Sequence, residues 1–225
     1  MPFLILKIAI ALSAAFYITR QVRKPDRWLG RVFASLMNSS HSNLTDWGLT
    51  HVRIERNASI LDVGCGGGRT IEKLAAMAPD GNVFGIDYAP GSVAASRAKN
   101  AKLVRGGRVT IEQATVSHLP FGADAFDLVT AIETQYYWPD LVNDMREIAR
   151  VLKTGGALLV IAETYKGAKY DFIEGPIMRL LGSSSLSVQD QRDLFARAGF
   201  GDVEVYEERA KGWICVKGVK KAPDV

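Results

Sequence analysis

From residue 60 onward, short apolar runs alternate with amphipathic stretches and turn residues along the chain. Continuous apolar runs predict strands buried on both faces of a parallel sheet, and the amphipathic stretches between them predict the helices that cover it. The pattern therefore indicates an α/β fold. The predicted strands are Ile60–Val63, Val83–Asp87, Phe126–Ile132, Ala157–Ala162, Val203–Glu207 and Gly212–Lys217, and the predicted helices are Thr70–Ala78, Pro90–Lys102 and Val188–Ala198.

A glycine-rich segment joins the first predicted strand to the first helix. Its sequence, Asp62-Val-Gly-Cys-Gly-Gly-Gly68, places a carboxylate directly before the turn. Glycines let the backbone turn tightly and approach a ligand without Cβ clashes. The segment predicts a site for a nucleotide-like ligand, and a purely structural turn is the alternative.

The spacing of these glycines favours one class of ligand. A dinucleotide site needs glycine at the first, third and sixth positions, so that a pyrophosphate can lie at the helix N-terminus. Counted from Gly64, the sixth position is Arg69. Asp62 suits a cationic ligand without phosphate, and S-adenosylmethionine carries both an ammonium and a sulfonium. Binding of another nucleotide stays open at this point.

Asp87 ends the second predicted strand, 23 residues after Gly64. That separation matches the position of a carboxylate that accepts hydrogen bonds from both ribose hydroxyls of an adenosine group. An Asp at a strand end can also cap the next helix, which is predicted to begin at Pro90. The neighbouring glycine segment favours the ribose interpretation.

An ordered set of motifs runs through the chain: Ile60–Thr70, Val83–Pro90, His118–Phe121, Ala125–Val129 and Arg146–Gly156. Together they resemble the class I S-adenosylmethionine-dependent methyltransferases, and most of all the small-molecule branch that includes the ubiquinone and menaquinone methylases. The resemblance covers roughly residues 55–218. It implies a Rossmann-like, doubly wound sheet of seven strands, mostly parallel with an antiparallel C-terminal pair, preceded by an N-terminal helical arm.

The resemblance also implies which residues bind the cofactor, S-adenosyl-L-methionine. The glycine segment would hold the methionine part, Asp87 the ribose, and Tyr88 the adenine. The family usually has an acid after the third strand, where this chain has Thr115, and a neutral hydroxyl is a weaker hydrogen-bonding partner. The implied cofactor-binding residues are Asp62, Gly64, Cys65, Gly66, Asp87, Tyr88, Thr115, Val116 and Glu133.

The segment Glu133-Thr-Gln-Tyr-Tyr-Trp138 follows the fourth strand, and in this family it lies beside the transferred methyl group. Glu133 and Tyr136 are therefore candidate catalytic residues, with Gln135 as a further neighbour. The alternative is that Tyr137 and Trp138 only cover the sheet edge. No general base is obligatory, because alignment of the reacting atoms alone can supply effective molarities of about 10⁵ M or more.

Residues 28–54 are predicted to form a helical lid over the cofactor cleft. Thr45 is expected to cap a helix from Asp46 to Arg53. Met37, His41 and Trp47 would belong to this lid. His41 is a candidate catalytic base, since an unperturbed histidine has a pKa of about 6.5, and a polar loop residue is the alternative.

Residues Glu163–Ser187 occupy the place where this fold builds its acceptor pocket. Their apolar and aromatic side chains favour a lipophilic or aromatic small molecule as acceptor, and a small satellite core under a loop would show the same composition. The residues in question are Tyr165, Tyr170, Phe172, Ile177, Met178 and Leu180.

Residues 3–18 form an apolar run, followed by several basic residues up to Arg27. The run falls slightly short of the ~20 residues that usually span a bilayer. We expect residues 1–27 to be a membrane anchor or interfacial helix, with the basic flank keeping the domain at 55–225 in the cytoplasm, on the membrane's cytoplasmic face. A secretory signal and a helix docked on the domain are the alternatives.

Composition and charge place few further constraints on the fold and the function. The 225 residues, 48% of them hydrophobic, suit one α/β core and are too few for two large domains. Cys65 and Cys215 lack metal or redox spacing, and the three histidines are scattered, so no metal site is predicted. The net charge of +4 comes without a basic stripe carrying interleaved aromatics, which disfavours nucleic-acid binding.

Three functions from different classes follow from these observations. The first is methyl transfer to a small lipophilic acceptor. The second is a non-catalytic module that binds S-adenosylmethionine, which the neutral Thr115 keeps open. The third is a nucleotide-linked oxidoreductase, which Arg69 disfavours.

Overall fold

The computed structural model describes residues 42–169, 171–172 and 185–222. The predictions for residues 3–18, for Met37 and His41, and for Tyr170, Ile177, Met178 and Leu180 lie outside the described residues. In chain order the elements are α1 (Ser42–Leu49), β1 (Ser59–Val63), α2 (Arg69–Met77), β2 (Asn82–Asp87), α3 (Pro90–Lys99), α4 (Ala101–Arg105), β3 (Val109–Gln113), β4 (Phe126–Ile132), a 3₁₀ helix (Gln135–Tyr137), α5 (Leu141–Val151), β5 (Leu152–Ala162), α6 (Val188–Arg197), β6 (Phe200–Glu208) and β7 (Trp213–Lys220).

The seven strands form one sheet in the order β3-β2-β1-β4-β5-β7-β6. Strands β3 to β5 run parallel, while β7 pairs antiparallel with both β5 and β6. The order reverses between β1 and β4, and in such sheets ligands bind in the crevice outside the carboxyl ends of the strands at that point. The fold class predicted from the sequence is confirmed.

Helices cover both faces of the sheet. On one face, Leu44 of α1 and Ile71 of α2 belong to a buried cluster with Val93 of α3. On the other face, Ile148 of α5 and Phe195 of α6 belong to a second buried cluster. The sheet is therefore doubly wound. Among the described helices, none has the length and apolar character needed to cross a membrane.

The helix α1 begins earlier than the sequence predicts. It starts at Ser42, so Thr45 is a buried residue inside the helix and not its N-cap. The Lys73 ammonium of α2 donates to the carbonyl oxygen and to the hydroxyl of Ser42, at 3.1 and 3.0 Å. This contact ties the first turn of α1 to α2, which local sequence does not reveal.

The helix predicted at Pro90–Lys102 is divided at Asn100, which separates α3 from α4. The buried Asn100 side chain donates to the carbonyl oxygens of Gly68 and Ser96, at 2.8 and 3.0 Å. Asn100 thereby joins the glycine segment to the helix that follows β2. The division of the predicted helix at Asn100 therefore follows from the hydrogen bonds that this side chain makes.

The glycine at position 218 lies on β7 beneath α6. A Cβ there would lie 2.4 Å from Phe195 Cδ1 and 3.2 Å from Phe200 Cβ. We therefore expect Gly218→Ala to lower the free energy of unfolding by about 1–3 kcal/mol, because overpacking forces the core apart. Urea denaturation measures this. In the matched control Gly122→Ala, where a Cβ would meet nothing within 4 Å, the change should stay below about 1 kcal/mol; equal losses would contradict the packing argument.

Candidate active site

A cavity of about 470 Å³ lies at the carboxyl ends of the central strands. That volume is within the range of small-molecule sites in proteins. The glycine segment, the ends of β2 and β4, the segment after β3 and the first turn of α2 form its walls. The cavity therefore occupies the crevice that the strand order predicts.

The glycine at position 64 is required by its surroundings. Its φ is 78°, and a Cβ there would lie 2.3 Å from Thr134 Cγ2. Thr134 in turn donates its hydroxyl to the Val63 carbonyl oxygen at 3.1 Å. The turn after β1 is thus packed directly against the residue that follows Glu133.

The glycine at position 66 has different surroundings. Its φ is 50°, and a Cβ there would meet nothing within 4 Å. The Gly66 N–H donates to Asp87 Oδ2 at 3.0 Å. This part of the backbone faces open space on the cavity wall, where a ligand can approach closely.

The Asp87 carboxylate joins the loops after β1 and β2. Besides Gly66, it accepts a hydrogen bond from the Ala89 N–H, which reaches Oδ1 at 2.9 Å, and one from the Ser92 side chain. Burial raises the pKa of Asp87, while these three hydrogen bonds act in the opposite direction. A carboxylate has about four acceptor positions, so Asp87 can also accept from ligand hydroxyls.

The Asp62 carboxylate is 2% exposed and accepts a hydrogen bond from the Thr130 hydroxyl at 2.7 Å. Burial raises the pKa of Asp62 to about 7, which the Thr130 bond partly offsets and nearby Asp87 reinforces. No ion pair of Asp62 is found within the described residues. A bound cation would therefore stabilise its ionised form.

Three of the residues predicted to bind the nucleoside part line the same cavity: Tyr88, Thr115 and Val116. The Tyr88 side chain is 40% exposed, and its carbonyl oxygen accepts a hydrogen bond from the Gln113 side chain at 3.1 Å. The Thr115 carbonyl oxygen accepts from the His118 N–H at 3.2 Å. The structure thus brings these three residues together with Asp87.

Glu133 lies on the cavity wall with a φ of 58°, a left-handed conformation that is uncommon outside glycine. Its N–H donates to the Ile161 carbonyl oxygen at 2.9 Å. Its Oε1 accepts from the Tyr136 hydroxyl at 3.1 Å and from the Glu163 N–H. The carboxylate therefore joins the ends of β4 and β5 to the 3₁₀ helix. Left-handed non-glycine residues are frequent at functional sites.

The segment after Glu133 divides into two sets of side chains. Gln135 and Tyr136 are buried; the Gln135 amide oxygen accepts from the Gln191 side chain at 2.8 Å, and burial raises the pKa of the Tyr136 hydroxyl. Neither residue is on the cavity wall, whereas Tyr137 and Trp138 are. The catalytic role predicted for Tyr136 stays a prediction, and its neighbour Tyr137 is the tyrosine that faces the cavity.

Sequence reasoning missed several residues of the cavity wall as site residues, among them Thr45, Arg69 and Ser92. Ser92 carries a local signal, because it lies in the first turn of the helix that follows Asp87. Thr45 comes from α1, within the segment predicted as a lid over the cleft, but it was expected only to cap the helix. Among the described residues, no group of three or more potential metal ligands is close enough to hold a metal ion.

The chain matches a known family of enzyme domains. Residues 61–160, from β1 into β5, match the methyltransferase domain family. The chain contains a class I methyltransferase domain. This finding confirms the family that the sequence motifs indicate, together with S-adenosyl-L-methionine as the cofactor of that family.

Over part of its length, the chain is similar to two named methyltransferases. It is 30% identical over 154 residues to the O-methyltransferase cnsE of Penicillium expansum, covering 67% of this chain and 54% of that protein. It is 33% identical over 117 residues to the demethylmenaquinone methyltransferase of Lactiplantibacillus plantarum, covering 52% of this chain and 49% of that protein. The chain spans about half the length of these relatives.

A solved structure shares the fold of the methyltransferase domain. It is a chain of the complex between the Haloferax volcanii Trm112 methyltransferase activator and a methyltransferase. The TM-score is 0.76 at 21% identity, over 87% of this chain and 96% of that chain. At this identity the likeness establishes the fold alone.

The buried Asp62 makes stability depend on pH. Its pKa is raised from 3.8 to about 7 in the folded protein, so the folded state binds more protons in that window, and stability falls as the pH rises through it. We expect the free energy of unfolding of Asp62→Asn, measured by urea denaturation, to exceed that of the wild type by about 2–4 kcal/mol at pH 8 and to be similar to it near pH 4.

The exposed Asp193 offers a matched control for this experiment. Asp193→Asn makes the same chemical change without removing a buried charge, so its effect on the free energy of unfolding should be small at both pH values. A pH-independent difference between wild type and Asp62→Asn would show that burial of the charge is not responsible.

Proposed function

We propose that the protein transfers a methyl group from S-adenosylmethionine to a small lipophilic or aromatic acceptor. The observation that carries this proposal is one cavity lined by the open Gly66 backbone, the carboxylates of Asp62 and Asp87, and the aromatic side chains of Tyr137 and Trp138. The Gly66 backbone and the two carboxylates suit the cofactor. The two aromatic residues suit the acceptor.

The residues present fit the cofactor. Asp62 is buried with a pKa of about 7 and lacks a cation partner in the described part of the chain, as expected of a carboxylate that faces an ammonium group. Asp87 is held by two backbone N–H groups and retains acceptor positions for ribose hydroxyls. Tyr88, Thr115 and Val116 would surround the adenine. When bound, the cofactor supplies a methyl group on a sulfonium, which is a good leaving group.

The contribution of the chain to the reaction is mainly alignment. Glu133 is fixed by its bonds to Tyr136 and to the Glu163 backbone, so it can hold a ligand group without moving. Tyr137 and Trp138 would exclude water and orient the acceptor, because positioning of the reacting atoms can lower the barrier substantially. Glu133, Tyr136 and His41 stay the candidates for proton removal from acceptors that need it.

The lipophilic character of the acceptor rests on two observations. Aromatic side chains line the cavity after β4, and one relative of the methyltransferase domain is a demethylmenaquinone methyltransferase. The apolar residues 3–18, with their basic flank, would bring the domain to the cytoplasmic surface of a membrane, where such acceptors dissolve. Membrane association is part of this proposal.

The cofactor assignment predicts the effect of replacing Asp87. Titration calorimetry should show that Asp87→Asn binds S-adenosylmethionine at least about tenfold more weakly, because ribose hydroxyls lose a charged acceptor. Asp193→Asn is the matched control and should bind as the wild type does. Binding of a dinucleotide in place of S-adenosylmethionine by the wild type would overturn the proposed function.

Turnover distinguishes an enzyme from a binding module. Incubation of the protein and labelled S-adenosylmethionine with a membrane lipid extract should transfer label into a lipophilic product, identified by mass spectrometry. Cofactor binding without transfer into this or a water-soluble metabolite extract would favour the non-catalytic module. Transfer into the water-soluble extract alone would contradict the lipophilic acceptor.

The acceptor assignment predicts the effect of replacing Tyr137. We expect Tyr137→Ala to lower kcat/KM for the acceptor at least about tenfold, since one ring is lost from the acceptor contact. The Kd for S-adenosylmethionine should stay within about twofold of the wild type. Tyr206→Ala makes the same change on the edge strand β6, outside the cavity, and should leave both quantities unchanged. A parallel loss of cofactor affinity in Tyr137→Ala would contradict the assignment.

A further inference from the structure

The Arg69 guanidinium is a cation on the cavity wall, and none of the roles described above involves it. It is the first residue of α2 and lines the cavity that contains Asp62 and Asp87. Among the described residues that line the cavity, it is the one Lys or Arg side chain. Within the described part of the chain, its guanidinium forms no ion pair.

Lys73, one turn further along α2, has a different role. Its ammonium is held by Ser42 and by the Asp46 carboxylate of α1. Lys73 is therefore a structural contact between α1 and α2. Arg69 and Lys73 lie four residues apart on the same helix, but Arg69 faces the cavity and retains its charge for a ligand.

The charges around the cavity suit both ends of an amino-acid group. The ammonium and the carboxylate of methionine are attached to the same carbon atom. A ligand that places its ammonium beside Asp62 therefore places its carboxylate only a few ångströms away, where it needs donors. Asp62 and Asp87 repel a carboxylate, whereas Arg69 attracts one and can donate two parallel hydrogen bonds to it.

The start of α2 adds to this preference. The helix begins after Gly68 with no side-chain cap, and Thr70 of its first turn also lines the cavity. Backbone N–H groups in the first turn of a helix favour an anion. The guanidinium and the helix start thus act on the same end of the ligand.

We propose that Arg69 binds the methionine carboxylate of S-adenosylmethionine. The inference rests on the proposed function. Arg69 directly follows the glycine segment that faces the cofactor, whereas the aromatic residues assigned to the acceptor come from the segment after β4. An anionic group on the acceptor is accordingly the other partner that the experiment must distinguish.

The consequence is selectivity for ligands that retain the carboxylate. Arg69 would favour S-adenosylmethionine and S-adenosylhomocysteine over decarboxylated S-adenosylmethionine, which keeps the adenosine, the sulfonium and an amine. This analogue differs from the cofactor in the group that Arg69 is proposed to bind. Its affinity therefore isolates that contact.

Titration calorimetry with Arg69→Gln tests the inference without relying on turnover. We expect the variant to bind S-adenosylmethionine and S-adenosylhomocysteine at least about tenfold more weakly than the wild type, and decarboxylated S-adenosylmethionine within about twofold. Arg69→Lys should recover part of the loss, because an ammonium keeps the charge but not the paired donors. Arg105→Gln, at an exposed position of α4, removes the same charge outside the cavity and should bind all three ligands as the wild type does.

The other outcomes are distinguishable. An equal loss for the analogue and for S-adenosylmethionine would assign Arg69 to another part of the cofactor or to the fold. Unchanged cofactor affinity with a raised KM for the acceptor would assign it to the acceptor. Either result overturns the inference and leaves the proposed function intact. If the wild type bound none of the three ligands, the proposed function itself would be wrong.

Discussion

The hydrogen bonds between the glycine segment and the end of β2 hold the cavity in place. The N–H groups of Gly64 and Cys65 both donate to the Ile86 carbonyl oxygen, at 2.8 and 2.9 Å, and Gly66 donates to Asp87. These bonds are available because β1 and β2 pair in parallel, with Val63 opposite Ile86. The loop after β1 therefore turns over the end of β2, and its backbone is presented to the space beyond.

The Asp87 carboxylate has a structural role and, in the proposed function, a ligand-binding one. Asp87 holds the loops after β1 and β2 through backbone N–H groups, and it also lines the cavity. Asp62 lies nearby in the same cavity, and burial of its carboxylate costs stability as the pH rises. A cationic ligand offsets that cost, so ligand binding and folding are coupled. The charge arrangement that destabilises the free domain is the one that suits a ligand with an ammonium group.

The parts of the site that could be predicted from sequence are those with a local backbone requirement. Gly64 has a left-handed backbone and no room for a Cβ beside Thr134, so the local geometry requires a glycine at this position. Asp87 follows a continuous apolar run, which marks the end of a buried strand. The order of such runs also predicts the sheet, because parallel strands buried on both faces differ clearly from the helices between them.

The parts that could not be predicted come together only through tertiary packing. Thr45 lies inside α1 and lines the cavity, and α1 is held against α2 by the hydrogen bonds from Lys73 to Ser42. Arg69 disfavours a dinucleotide site because it stands where that site needs a glycine, but only the structure shows that it lines the cavity. The residues next to Thr45 and Arg69 in the sequence do not show that these two side chains line the same cavity.

The choice between two adjacent tyrosines follows from the buried polar bonds around the 3₁₀ helix. Successive residues in such a helix point about 120° apart, so Tyr136 and Tyr137 cannot face the same way. Gln135 is held in the core by the Gln191 side chain of α6, and the Tyr136 hydroxyl bonds to Glu133. With these two side chains held inside the domain, Tyr137 is left facing the cavity. The core contact with α6 thus decides which aromatic ring faces the cavity.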